Sequence, residues 1–140
     1  MGIGRDQKYE QNLKNIYKDQ PNLNFHGFLD QFSGDQLTEL LGKSWIIVNT
    51  SVREGLPTSF LEAAASGCAI LSGINPDGYT TNFGRQVVHG NYRAGLRYLL
   101  ADNNWSIRGQ RAREYTQRVF SLEESINRHL EIYQEFLKDE

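Results

Sequence analysis

The sequence predicts an α/β domain: a Rossmann-like three-layer sandwich with a mainly parallel sheet of about four strands and a helical C-terminal tail. Two nearly continuous apolar runs, Trp45-Ile46-Ile47-Val48 and Cys68-Ala69-Ile70-Leu71, read as strands covered on both faces. Helical patterns stand between and around them, as a parallel sheet requires. From Tyr92 to the end the periodicity is helical throughout. A chain of 140 residues fits one domain, taken as residues 1–140, and is long enough to bury a core without staples.

Taken in order, residues 6–18 predict a polar helix with Tyr9, Leu13, Ile16 and Tyr17 on one stripe, stopped by Pro21. Leu23, Asn24, Phe25, His26 and Gly27 alternate as a short strand does. Ser33-Gly34-Asp35 precedes Leu37, Leu40 and Leu41, a short helix ended by Gly42. After the strand at 45–49 comes a loop over 50–57 and a helix from about Ser59 to Ser66. Its Phe60, Leu61, Ala63, Ala64 and Ala65 are mostly small enough for close packing on a sheet. Gly67 suits its C-terminal cap. Asn75-Pro76-Asp77-Gly78 is a turn with proline in second place, and Gln86-Val87-Val88 is a candidate fourth strand. The tail divides into helical patterns around Leu96 to Leu100, Ile107 to Val119 and Leu122 to Leu137.

Composition narrows the function class. A net charge of -2 without a basic stripe argues against a nucleic-acid partner. The single cysteine, Cys68, excludes an intrachain disulfide and a cysteine-rich metal site. No run approaches the roughly 18 apolar residues of a membrane span, and the polar first fifteen residues lack a signal-peptide core. The expectation is a cytoplasmic protein, with peripheral membrane contact left open. His26, His89 and His129 are isolated and expected to be structural or solvated; Cys68 is expected to act as a small apolar residue. Trp45 and Trp105 are expected to pack, and the charges of Arg108 to Arg118 to lie on a solvated helix face.

The chemistry concentrates in residues 50–63, which run from the carboxyl end of a buried strand through a tight loop into a helix. Ligands of open α/β sheets bind outside the carboxyl ends of the strands. The helix that follows turns its free N–H groups toward that crevice, a ready anion site. Gly55 permits close backbone approach and Pro57 sets the entry to the helix. Two carboxylates stand here, Glu54 and Glu62. A carboxylate accepts hydrogen bonds from neighbouring sugar hydroxyls, whereas it repels a diphosphate, so both suit the hydroxylated parts of a phosphorylated ligand. Glu62 has an alternative role: Ser59-Phe60-Leu61-Glu62 also fits a capping box. Arg53 fits either a phosphate or a neighbouring carboxylate.

The segment Glu54-Gly55-Leu56-Pro57-Thr58-Ser59-Phe60-Leu61-Glu62-Ala63 resembles the Glu-x7-Glu signature of retaining glycosyltransferase family 4, whose members have the GT-B fold. Ala64 to Leu71 is similar to the family's small-residue helix, glycine and strand; Asn24 to Gly27 resembles its preceding strand and glycine, and Ile132-Tyr133 its closing helix. The resemblance implies the donor-binding half of a GT-B enzyme. Glu54 would bind the donor sugar and serve as the catalytic-site carboxylate, and Glu62 would bind the ribose. Gly55, Leu56, Pro57, Thr58 and Ser59 would contact the diphosphate or sugar, and Gly27 and Phe28 would lie near the base. It implies transfer of a hexose from a nucleoside-diphosphate sugar such as a UDP- or GDP-sugar, with retained configuration and no metal or other cofactor.

Two departures from the family pattern stand out. Full-length members open this half with further strands carrying an Arg and a Lys for the diphosphate; the chain starts after them, so Arg5 and Lys8 are not given that role. The acceptor-binding N-terminal half is expected as a separate domain or partner subunit, leaving this chain with little activity alone. In place of a Gly-Gly-x-x-Glu segment stands Ile74-Asn75-Pro76-Asp77-Gly78, so Asp77 is left unassigned. The rival reading is a non-catalytic interaction module, pairing with a partner or with a second copy through an exposed sheet edge.

Overall fold

A computed structural model describes residues 7–27, 29 and 34–138. The described chain forms α1 (Gln7–Ile16), α2 (Gln36–Gly42), β1 (Ile46–Asn49), α3 (Thr58–Ala65), β2 (Ala69–Ser72), α4 (Tyr79–Phe83), β3 (Gly84–Gln86), α5 (Tyr92–Leu100), α6 (Asn104–Val119) and α7 (Leu122–Phe136). Single 3-10 turns stand at Pro76–Gly78 and Ala101–Asn103. None of these helices is long and apolar enough to cross a membrane.

The sheet is parallel with order β1-β2-β3. Ile46 pairs with Ala69 and Asn49 with Ser72, while Ile70 pairs with Gly84 and Ser72 with Gln86. The central strand β2 is wholly buried. Its side chains alternate between two cores. Ile70 joins Phe60 and Ala64 of α3, Tyr79 and Phe83 of α4, and Ala112 of α6. Ala69 and Leu71 join Val87 and Leu99 on the opposite face, backed by Leu96, Tyr98 and Trp105. Helices on both faces of a parallel sheet make the expected three layers.

The sheet has three strands rather than about four. Residues 23–27 do not form the expected strand: Leu23 and Phe25 remain 44% and 42% exposed, and no described strand pairs with the outer edge of β1. Alternation alone cannot hold five residues extended without a ladder partner. The last strand falls at Gly84–Gln86, two residues before its expected start, although the Val87 amide still donates to the Ser72 carbonyl at 2.8 Å. The short helix α4 has no counterpart in the sequence reading. Its residues Tyr79 and Phe83 meet edge-to-face at 4.7 Å, and the Tyr79 hydroxyl is 2.7 Å from Thr116 Oγ1 of α6.

Two glycines set how closely α6 approaches the sheet. Gly67 follows α3 with φ +85, as a left-handed cap requires. Gly109 of α6 sits against it: a Cβ there would lie 2.0 Å from the Gly67 carbonyl oxygen. Cys68, next in line, is fully buried and points its thiol at the carbonyls of Leu41 and Ser44, 3.4 and 3.3 Å away. Burial pushes that thiol above its ordinary 9.0. Trp45 stacks on Trp105 with ring centres 4.6 Å apart, so both indoles pack as expected. α1 and α7 bury no residue.

Gly109→Ala forces a Cβ into backbone and is expected to lower stability by about 1–3 kcal/mol in a urea melt; Gly42→Ala, in open space, provides the control. Cys68 also sets an alkaline limit. The unfolded thiol gives up its proton first, so its contribution to stability is complete below pH 9.0 and is lost as pH rises through the higher folded value. A pH series of melts on the native chain and Cys68→Ala is expected to show a shallower alkaline decline in the variant.

Candidate functional site

Parallel pairing brings the carboxyl ends of β1 and β2 side by side, and polar residues close both strands. Asn49 ends β1 and Ser72 ends β2; Ser72 is fully buried. The Ser72 hydroxyl donates to Asn49 Oδ1 at 3.3 Å and accepts from the Ile74 amide at 3.2 Å. Asn49 Oδ1 also accepts from the Ser51 amide at 2.9 Å, which turns the chain out of the strand. Tyr92, at the start of α5, donates its hydroxyl to the Asn49 carbonyl at 3.1 Å, and Gln86 Nε2 reaches the Gly73 carbonyl at 3.3 Å. The loops after all three strands are thus tied to one another.

The tie extends to the first carboxylate. Ser51 Oγ donates to Glu54 Oε1, so Glu54 is held by a chain of hydrogen bonds running from buried Ser72 through Asn49 and Ser51. Arg53, Glu54 and Gly55 are exposed, and Leu56 and Pro57 half-buried. Arg53 makes no ion pair with a described carboxylate, so the carboxylate-paired alternative is not found.

Helix α3 begins at Thr58, one residue earlier than expected, with Pro57 as its cap residue at φ -65 and ψ 136. Proline offers no side-chain acceptor, and no side chain caps the helix. The Phe60 amide turns back to the Pro57 carbonyl at 2.9 Å, which leaves the Thr58 and Ser59 amides open at the positive end of the helix dipole. This geometry overturns the capping-box alternative: Ser59 lies inside the first turn and Glu62 lies in the second. The Glu62 carboxylate, half-buried, makes no hydrogen bond or ion pair with a described residue. Phe60 and Ala63 anchor α3 in the core, so the helix end is presented from a rigid base.

The structure therefore gathers Glu54, Gly55, Leu56, Pro57, Thr58 and Ser59 in one loop and helix start, with Glu62 a turn further on. Gly27 lines an open cleft of about 410 Å³ with Tyr9, Leu13, Asn24, Phe25 and His26. Phe28 lies outside the described residues. Asp77 sits exposed in a left-handed turn at φ 49. Asn49, Ser72 and Tyr92 were missed as site residues; for Asn49 and Ser72 the available signal was a single polar residue closing each apolar strand run, and Tyr92 carried none. Among the described residues no group of three or more His, Cys, Asp or Glu could hold a metal ion.

The fold and the loop define a Rossmann-like domain that presents open helix amides and two carboxylates at the carboxyl edge of its sheet. Residues 1–104 match the family model of glycosyl transferases group 1, and the chain belongs to that family. Residues 105–140 lie beyond the match. No curated protein and no solved structure matches the chain significantly.

Asn49→Ala removes the acceptor shared by Ser51 and buried Ser72. We expect stability to fall by about 1–3 kcal/mol and amide exchange at Ser51 and Glu54 to quicken, as read by hydrogen-exchange NMR. Unchanged exchange would show that the loop holds its shape without Asn49.

Proposed function

We propose that this chain is the donor-binding domain, the C-terminal half of a GT-B architecture, of a retaining hexosyltransferase that uses a nucleoside-diphosphate sugar. The observation that carries the reading is the uncapped start of α3 with Glu54 before it and Glu62 after it, in a chain of the glycosyl transferases group 1 family. Open amides at a helix start suit a phosphate oxygen. The diphosphate rests on the Thr58 and Ser59 amides and hydroxyls, with the backbone at Gly55 and Leu56 alongside. Glu62 has its full acceptor capacity free for vicinal ribose hydroxyls. Glu54, steadied by Ser51, takes a hydroxyl of the sugar and stands at the reacting centre. Gly27 borders the base. In the reaction the bond from the anomeric carbon to the diphosphate oxygen breaks, a bond to the acceptor oxygen forms on the same face, and the acceptor hydroxyl's proton passes to the departing diphosphate. The charge that develops on the leaving diphosphate falls toward the α3 dipole, where fixed N–H groups stabilise it. The site's exposure fits closure by a separate acceptor-binding domain, without which acceptor and donor are not aligned and little transfer occurs.

Titration of the chain with UDP, GDP and ADP and their hexose derivatives, followed by NMR, tests this reading. Shifts are expected at Gly55, Thr58, Ser59 and Glu62 for one base series. Glu62→Ala is expected to weaken binding about 10–100-fold, the loss of charge-assisted hydrogen bonds. Absence of such shifts with every nucleotide at millimolar concentration in the folded chain would remove the donor reading.

A second reading, an interaction module, draws on the edge of β1 that no described strand pairs with, where Val48 is 47% exposed. It requires concentration-dependent self-association in light scattering, and nucleotide-independent behaviour.

A further inference from the structure

On the β3 side of the sheet two guanidinium groups converge on one phenol. Arg85 of β3 stands over the Tyr98 ring, its guanidinium carbon 4.7 Å from the ring centre. Arg108 of α6 donates through Nη2 to the Tyr98 hydroxyl at 3.3 Å. Its Nη1 donates to two carbonyls of α4, Thr81 at 3.2 Å and Asn82 at 3.0 Å. The solvated-face reading therefore fails for Arg108, which is half-buried and locked in place.

These contacts consume three of the five N–H donors of Arg108 and none of those of Arg85. Among the described residues no carboxylate forms an ion pair with either. The two arginines share a pocket of about 250 Å³ whose other walls are Thr81, Gly84, Gln86 and Val88. That space equals roughly eight water molecules at their liquid share. A pair of like charges beside a pocket, with no described carboxylate paired to either, is the arrangement that a multiply charged oxyanion satisfies. The planar fork of each guanidinium matches the oxygens of a phosphate group two at a time. Arg108 is held by the α4 carbonyls, so half of the clamp is already in position. The field acts on Tyr98 as well: the Arg108 hydrogen bond, with Arg108 and Arg85 charge, holds its phenol below the ordinary range.

We propose that Arg85 and Arg108 form a binding site for the phosphate or diphosphate group of a small phosphorylated molecule, separate from the loop at Glu54–Glu62. No residue of the loop and helix start from Glu54 to Glu62 lines this pocket, which is walled by β3, α4 and α6 residues and Val88.

The test is a titration of the full chain, labelled with 15N, with inorganic pyrophosphate at constant ionic strength, against sodium chloride. Saturable shifts are expected at the Gly84, Arg85 and Gln86 amides and at the Arg85 and Arg108 Nε–H signals. Arg85→Gln, at an exposed position that spares the core, is expected to weaken them about tenfold or more, and Arg85→Lys to fall between. Shifts at Thr58 and Ser59 report the other site separately, so either proposal can fail alone. No saturable shift at Arg85 and Arg108 in the folded chain overturns the site. So does an equal response in Arg85→Gln or an equal response to chloride.

Discussion

The arrangement of this domain follows from the need to take β2 wholly out of water. All four of its residues are buried, which leaves no face of the strand unclaimed. Ile70 demands a cover of α3, α4 and α6 on one side; Ala69 and Leu71 demand α5 on the other. Backbone N–H and C=O groups so deeply placed need partners on both edges, supplied by β1 and β3. Ala63, Ala64 and Gly109 allow the helices to come close enough for the cover to exclude water.

That same burial creates the polar crevice. A strand sealed over four residues must release the chain at its carboxyl end, where Ser72 is still buried and must find hydrogen bonds. It finds Asn49 and the Ile74 amide, and Asn49 in turn shapes the start of the loop at Ser51. The solution to a burial problem in the sheet thereby becomes the mounting for Glu54. α3 starts on proline, which sets the helix geometry while offering no side-chain acceptor, so its first amides stay available to a ligand. Rigid support beneath and open donors above are what a site for a charged ligand requires.

The periphery has a different character. α1 and α7 carry apolar stripes, Leu13 and Ile16 on one and Ile126, Leu130 and Tyr133 on the other, yet neither buries a residue. Their helical form rests on local periodicity and caps such as Ser121, whose hydroxyl accepts from the Glu124 amide at 3.3 Å. The central helices gain order from packing, the peripheral ones from propensity and local hydrogen bonds.

Much of the domain was legible in residue order. Continuous apolar runs located β1 and β2, Gly67 marked the end of α3, and the Glu54 to Glu62 spacing in its strand–loop–helix setting pointed to the family of the chain. These signals are local, set by a run of apolar residues or by the backbone freedom of one residue, and so they survive in one dimension; the expected cover on both faces holds for β2 but not for β1, where Val48 is 47% exposed. What only the tertiary structure decided is which groups meet. Residues 23–27 alternate correctly but find no ladder partner among the described residues. Ser59 and Glu62 have capping-box spacing, but the helix starts at Thr58, so Glu62 stays free. Ser72 and Tyr92 lie 23 and 43 residues along the chain from Asn49, and meet it only through the parallel register of β1 with β2 and the packing of α5. Arg85, Tyr98 and Arg108 converge because β3, α5 and α6 pack together. Hydrogen bonds and charge contacts act over a few ångströms of space, and spacing along a chain does not encode that distance.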